Sequence, residues 1–510
     1  MILSLLAAPS MPQEWGKVTA DGKSTPGVVR WAPSLKQQTL QATSTALRDK
    51  ADSPDMHQAT GKRTWSSGIT FILAAVGAAV GLGNIWKFPY VAGVSGGGAF
   101  VLVYIVCVVF VAIPILIAEL LIGRCGTGSP PVAMRKVAED SGRSGNWSLV
   151  GFMGMIVGYL IATYYSVIAG WTLIYIFKAA IGFGGAAAAD VAQQFEDIKA
   201  SPGTMALWHT VFISLALLIV GRGLRDGIER VVKVLMPALF IMLLVMIGYA
   251  AIAGDFKAGL EFLFSVDFSK ITGEVVLAAI GQAFFSISVA MGLMMVYGAY
   301  VPKEVSLTRS AVIIAGADTM IALLAGLMIF PIVFANGLDP AEGPGLIFVT
   351  LPTAFAGMPG GAVFGAFFFV LLAFAAITSI IAIIEPIIAY AEDRWQMQRK
   401  TGCIVFGFLA WLIGIGSVLS FNVWKDVTPL AMFDVFAGKT VFDLIDYFTA
   451  NVMMPLGAIL IALFVGWRMK PEVLETELNF GSPWLFRTWV WLIRVVAPLA
   501  ILGILISGLT

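Results

Sequence analysis

The stretch Ala74–Pro89, AAVGAAVGLGNIWKFP, lies in an apolar run long enough to cross a membrane, yet it holds three glycines, an asparagine, a lysine and a proline. In hydrocarbon every backbone N–H and C=O needs a partner, so a spanning helix is broken only where protein or a water-filled cavity surrounds the break. The stretch therefore bears on fold and site together.

The sequence around it is that of a polytopic membrane protein. Of 510 residues, 59% are hydrophobic and 12% charged, and the mean hydropathy is +0.89, beyond what a soluble core of this size requires. A spanning helix needs roughly 20 mostly apolar residues. Eleven segments qualify: 68–92, 99–123, 150–179, 205–221, 230–253, 274–300, 308–336, 362–391, 402–421, 443–466 and 484–507. Their runs are continuously apolar rather than alternating, which predicts helices and not a barrel.

Lys and Arg in short loops set the orientation. Lys62 and Arg63 precede segment 1, Arg124, Arg135, Lys136 and Arg143 follow segment 2, and Arg222, Arg225, Arg230 and Lys233 lie between segments 4 and 5. Lys303 and Arg309, then Arg394, Arg399 and Lys400, then Arg468 and Lys470 continue the alternation. These loops are expected in the cytoplasm, with the N-terminus inside and the C-terminus outside an inner (plasma) membrane. Residues 1–61 read as a disordered cytoplasmic tail, rich in Ser, Thr, Gln, Pro and charges. Its apolar start, MILSLLAAPS, lacks the charged region of a signal peptide.

A net charge of +1 gives nothing that points to nucleic acid. Cys107, Cys125 and Cys403 have neither metal-ligand nor disulfide spacing, and His57 and His209 form no motif. There is no G-x-S-x-G elbow, H-E-x-x-H helix or Walker loop, so no enzyme is expected.

A second weak point falls in segment 6, GQAFFSISVAMG, where Ser286, Ser288 and Gly292 interrupt the apolar run. Segments 1 and 6 occupy equivalent places in two halves of five, and an odd number makes the halves inverted. Paired interruptions in corresponding segments point to a transporter's midplane site. Gly77 and Gly81 alone form a small-xxx-small pattern that serves helix packing; the neighbouring Asn84 and the break in segment 6 favour a ligand. Three ionisable residues sit at membrane depth. Glu119 and Glu385 read as structural groups bonded to exposed backbone, and Asp318 as the functional one. Thr378 and Ser379 pair in segment 8, where back-bonding to the preceding turn is the alternative. Freed carbonyls, hydroxyls and an Asn amide are hard ligands suited to an alkali cation, and N–H groups at a half-helix start suit a carboxylate. A zwitterion and cations bound side by side imply an ion-coupled amino-acid carrier.

GAAVGLGNIWKFPY, GGGAF at 96–100, Tyr164 and Tyr165 with Trp171, GQAFFSIS, AITS at 376–379 and FDLIDY at 442–447 together resemble the neurotransmitter:sodium symporters, in their bacterial amino-acid-transporting branch, over roughly residues 62–507. The resemblance implies the leucine-transporter fold: an all-α protein of about eleven spans, a 5+5 inverted repeat (62–253 and 274–466) with an extra helix at 484–507, and helices 1 and 6 unwound at mid-membrane. It implies a first sodium site at Ala79, Asn84, Ser286 and Asp318, and a second at Gly77, Val80, Ala375, Thr378 and Ser379. The substrate carboxylate would meet Leu82, Gly83 and Tyr165. The amine would meet Ala79, Phe285, Ser286 and Ser288, and the side chain Ile161, Phe285, Met291, Ile380 and Ile383. Amine-transporting members carry an acid at the place of Gly81, so glycine there implies an amino acid, neutral and apolar or aromatic.

Two departures stand out. Asp318 replaces the Asn of relatives, and with Tyr104, Gln282 and Ser286 it would supply the charge that chloride supplies elsewhere, so no chloride requirement is expected. The usual outer-gate arginine is Lys87, expected to pair with Asp446; the inner gate is expected to join Lys62 or Arg63 to Asp393. Competing expectations are a proton-coupled permease using Asp318 or Glu385, and an amino-acid sensor that does not transport. Oligomeric state is left open.

Overall fold

A computed structural model describes residues 64–182, 188–340 and 345–509. The expected tail 1–61, with Lys62 and Arg63, lies outside the described residues. Among the described residues every regular element is helical. Nine uninterrupted helices among the described residues are long and apolar enough to cross a membrane: spans 2 (Gly98–Gly126), 3 (Gly145–Ala180), 4 (Pro202–Val220), 5 (Leu224–Ala253), 7 (Leu307–Ala335), 8 (Gly361–Trp395), 9 (Arg399–Ser420), 10 (Val441–Trp467) and 11 (Pro483–Leu509). Span 1 is a bent pair, Gly68–Ala79 and Gly83–Val94, at 52° to each other. Span 6 is likewise two pieces, Gly273–Ile287 and Leu293–Ala299, with 288–292 between them. The eleven expected segments are all present as helices. Shorter helices, such as Pro130–Asp140, Phe256–Phe264 and Leu346–Gly357, fill the connections.

Spans 3 and 8 lie along each other at the centre. Over their most apolar stretch 78% and 83% of the residues are buried, against 22% in span 11 and 33% in span 5. With no water in the bilayer core, the exposed apolar residues of the outer spans face lipid, and only the central spans can carry polar groups away from it. Most of the site groups come from the broken spans 1 and 6 and from spans 3, 7 and 8, with Tyr104 of span 2 and Asp446 of span 10 beside them.

The two breaks have different local causes. Span 1 stops at Val80, whose ψ of 109° is extended while its N–H still closes the last helical turn on Val76. Gly81 there has no positive φ and is required by space: a Cβ would sit 2.5 Å from Ser379 Oγ and 3.0 Å from the Tyr165 hydroxyl. Helical winding resumes at Gly83. The break is thus confined to 80–82, narrower than the Gly77–Asn84 window that the glycines suggest. Gly77 stays helical and makes room for Met236, whose Sδ would lie 2.9 Å from a Cβ. In span 6 the backbone itself is left-handed at Ser288 (φ 56°), Ala290 (φ 63°) and Gly292 (φ 74°). For Ser and Ala that region costs on the order of 1–2 kcal/mol each, so the surroundings must hold it. Part of that hold comes from buried Glu119, whose Oε1 accepts the Ala290 N–H at 2.5 Å.

Candidate functional site

Where the two breaks face each other, three polar side chains from three spans meet in full burial. Asn84 donates from Nδ2 to Asp318 Oδ1 at 2.7 Å and to Ser286 Oγ at 2.9 Å, and its Oδ1 accepts the Gly81 N–H at 3.1 Å. Ser286 donates to Asp318 Oδ2 at 2.6 Å, and Tyr104 reaches the same hydroxyl at 3.4 Å. Span 7 therefore contributes a carboxylate that ties the last turn of the first half of span 6 to the restart of span 1. Gln282 turns aside, donating to the Gly83 carbonyl at 3.1 Å. Its Oε1 is buried without a hydrogen-bond partner among the described residues.

On the other side of the span 1 break, Ser379 donates to the Val80 carbonyl at 3.0 Å. Thr378 back-bonds within its own helix, to Phe374 and Ala375 at 3.1 and 3.0 Å. Of the neighbouring hydroxyls, one satisfies the break and the other leans on a carbonyl of its own turn. All the expected groups of the second cation site, Gly77, Val80, Ala375, Thr378 and Ser379, are buried here.

The Leu82 N–H donates to the Tyr165 hydroxyl at 3.3 Å, and Gly83 packs on the Phe285 ring. Leu82, Gly83, Tyr165 and Phe285 line one end of a cavity of about 260 Å³ that also touches Trp86, Lys87, Tyr164, Phe442 and Asp446. Ile161, Met291, Ile380 and Ile383 are buried, and the Met291 carbonyl and the Ile383 side chain both approach Gly158 of span 3. Ser288 is buried at the start of the span 6 break, and Ala79 ends the first half of span 1.

The outer gate differs from expectation, and the cations expected at the inner gate lie outside the described residues. Lys87 and Asp446 line the same cavity, but no ion pair joins them among the described residues; the Lys87 ammonium lies 4.0 Å from the centre of the Phe285 ring. A lysine is a flexible point charge without the fork that fixes arginine on a carboxylate, so the ring face competes. At the opposite end, Asp393 accepts the Ser129 N–H at 2.7 Å. Trp65 closes that end, donating through Nε1 to the Tyr297 carbonyl and through its backbone to that of Tyr300, both at 3.1 Å.

Glu119 bonds exposed backbone as expected. Glu385 does not: it is fully buried against the Arg399 guanidinium, with the Tyr300 hydroxyl donating at 3.2 Å. Arg399 also reaches Glu392 at 3.2 Å and the Val220 carbonyl at 2.6 Å. In the sequence Arg399 reads only as one of the loop charges. The signal was available, since a buried acid at membrane depth needs a cation and Arg399 stands just past the turn that follows span 8. Arg124, counted the same way, is buried and donates to the carbonyls of Val305, at 2.7 Å, and Glu477.

Among the described residues no group of three or more His, Cys, Asp or Glu could hold a transition metal. The oxygens gathered here come from one carboxylate, hydroxyls, an amide and carbonyls, a hard set matching an alkali cation.

From residue 62 onward most of the chain is similar to known transporters. The pattern described as the sodium:neurotransmitter symporter family matches residues 62–182 and 189–510. An uncharacterized sodium-dependent transporter of Bacillus subtilis, YhdH, is 38% identical over 447 residues, 87% of this chain and 97% of its own. Another from Haemophilus influenzae is 35% identical over 456 residues, 88% of this chain and 98% of its own. Among solved structures, the crystal structure of MhsT in complex with L-phenylalanine matches with a TM-score of 0.79 at 41% identity, covering 87% of this chain and 99% of MhsT.

Proposed function

The chain belongs to the sodium:neurotransmitter symporter family, and we propose that it couples sodium to the uptake of a neutral, apolar or aromatic amino acid without requiring chloride. As a member it is a sodium-dependent symporter embedded in a membrane, not an enzyme. The observation that carries the finer reading is the buried Asp318 carboxylate, bonded to Asn84 and Ser286 between the two broken spans. It gives the first cation site, with Ala79, a negative charge that does not leave. The second cation site is assigned to Gly77, Val80, Ala375, Thr378 and Ser379.

An amino acid is favoured because nothing at Gly81 can pair an amine: a Cβ there already meets Ser379 and Tyr165. The substrate brings its own carboxylate to the N–H groups of Leu82 and Gly83 and to Tyr165. Ser286 and Ser288 face its amine, and Ile161, Phe285, Met291, Ile380 and Ile383 its side chain. MhsT, whose crystal structure holds L-phenylalanine, supports an apolar or aromatic substrate.

Transport proceeds by alternating access of the halves 62–253 and 274–466 around this site, with Tyr165 and Phe285 as the thin outer lid. A sodium ion that shares the substrate carboxylate binds more tightly when substrate is present, and substrate gains by the same factor. The N-terminus is assigned to the cytoplasm and the C-terminus to the outside, from the loop charges.

Uptake of labelled Phe, Leu, Met and a charged amino acid into proteoliposomes tests this. A sodium gradient should drive accumulation of the first three equally well with chloride or gluconate outside. Uptake driven by a pH gradient in sodium-free buffer would favour the proton-coupled reading, and saturable binding without accumulation would favour a sensor.

A further inference from the structure

We propose that the groove between the facing ends of spans 4 and 9 binds one anionic phospholipid, with the phosphate on Arg222 and Lys400 and an acyl chain along the groove. The cavity there measures about 540 Å³ and lies away from the substrate path. Its walls repeat at helical spacing: Leu217, Leu218 and Gly221 share one face of span 4, and Cys403 and Ile404 share one face of span 9 with Lys400. The helices pinch where a Cβ on Gly407 would lie 2.3 Å from Leu217 Cδ1. The groove's lining runs from there to the ends of the two helices, at Arg222 and Lys400. Leu218 and Ile404 are 62% and 71% exposed, and on membrane spans such surface is covered by acyl chain.

The ends of the groove carry the charge. Arg222 and Lys400 are exposed at its mouth, and neither takes part in an ion pair among the described residues. Asp226, four residues beyond Arg222, pairs with neither cation among the described residues, Asp393 accepts the Ser129 N–H, and Glu385 and Glu392 both bind Arg399. Arg399 donates in turn to the Val220 carbonyl at 2.6 Å, which ties the end of span 4 to the start of span 9 beside the two cations. Two unneutralised cations above an apolar slot, at the membrane boundary, match a phosphate with its chain below. A zwitterionic lipid would fit the slot but bring its own ammonium. The orientation proposed above decides only which leaflet supplies the lipid, the cytoplasmic one; the site does not depend on it or on the amino-acid reading.

Native mass spectrometry of the purified full chain, titrated with phosphatidylglycerol or phosphatidylcholine, tests the site. The wild type should retain phosphatidylglycerol preferentially. Arg222→Gln with Lys400→Gln should weaken that binding about fivefold per cation, roughly 30-fold for the pair at low salt, and leave phosphatidylcholine unchanged. Ser214→Trp, which fills the slot without touching charge, should reduce retention of both lipids. Arg487→Gln, a cation removed elsewhere, should change neither. Equal affinity of the wild type for the two lipids, or phosphatidylglycerol binding unmoved by both groove variants, overturns the proposal. So does a wild-type dimer that the groove variants dissociate, because the occupant would then be a second copy.

Discussion

Lys87 places its ammonium 4.0 Å from the centre of the Phe285 ring, so the cation expected at the outer gate rests on that ring, the proposed lid, instead of on Asp446. A desolvated cation–ring contact is worth about 2 kcal/mol. Lys87→Met keeps the apolar stem and should speed dissociation of bound amino acid by roughly 30-fold, read by washout of labelled substrate. Asp446→Asn should leave that rate nearly unchanged. An equal acceleration by both variants would mean that the ion pair, not the ring, holds the lid.

Asp318→Asn should convert a chloride-indifferent protein into a chloride-dependent one. The amide keeps the hydrogen bond to Asn84 or Ser286 but loses the charge that balances sodium. Sodium-dependent substrate binding should fall at least about tenfold in gluconate and recover in chloride, the size of one lost buried charge interaction. A variant equally active in both media sinks the charge-replacement argument.

Gly81→Ala should damage substrate binding without unfolding the protein. The new methyl meets Ser379 Oγ at 2.5 Å and the Tyr165 hydroxyl at 3.0 Å, at the point assigned to the substrate. Overpacking of that kind costs about 1–3 kcal/mol, or a 5- to 150-fold weaker affinity in equilibrium binding. Thermal stability measured in detergent should change far less than affinity.

Ser379 and Thr378 should separate structure from ion binding. Ser379→Ala orphans the Val80 carbonyl, a loss of about 1–3 kcal/mol, and should lower both the melting temperature and the sodium affinity. Thr378→Val removes a hydroxyl bonded only within its own helix and should shift the sodium titration alone.

Arg399→Gln leaves Glu385 charged and buried without its partner and should cost about 3–5 kcal/mol of stability, visible as a large drop in melting temperature. Combining it with Glu385→Gln should restore most of the loss, because no buried charge then remains.

Much of this was legible in the chain. Glycines, an asparagine and serines inside apolar runs marked both breaks, and they are where the backbone departs from helix. Asn84, Ser286 and Asp318, though 202 and 234 positions apart in their contacts, were assigned to one site and do meet. Less legible was what depends on a particular neighbour. Ala290 adopts a left-handed backbone that no alanine advertises, because Glu119 of another span holds its N–H. Gly77 resembles Gly81 in sequence, yet one makes room inside a helix and the other at a break. Glu385 was expected against backbone, because its cation lay in a loop that charge counting treats only as a topology signal.

The span 1 break also fixes an order of events. Its backbone and the residues flanking it are held by Tyr165, Ser286, Asp318 and Ser379, all of which follow it in the chain. During synthesis span 1 enters the bilayer before any of them exists, and hydrocarbon gives an unpaired turn no solvent. The break is completed only after span 8 has been inserted, so the middle of span 1 is among the last of the described parts to reach its final form.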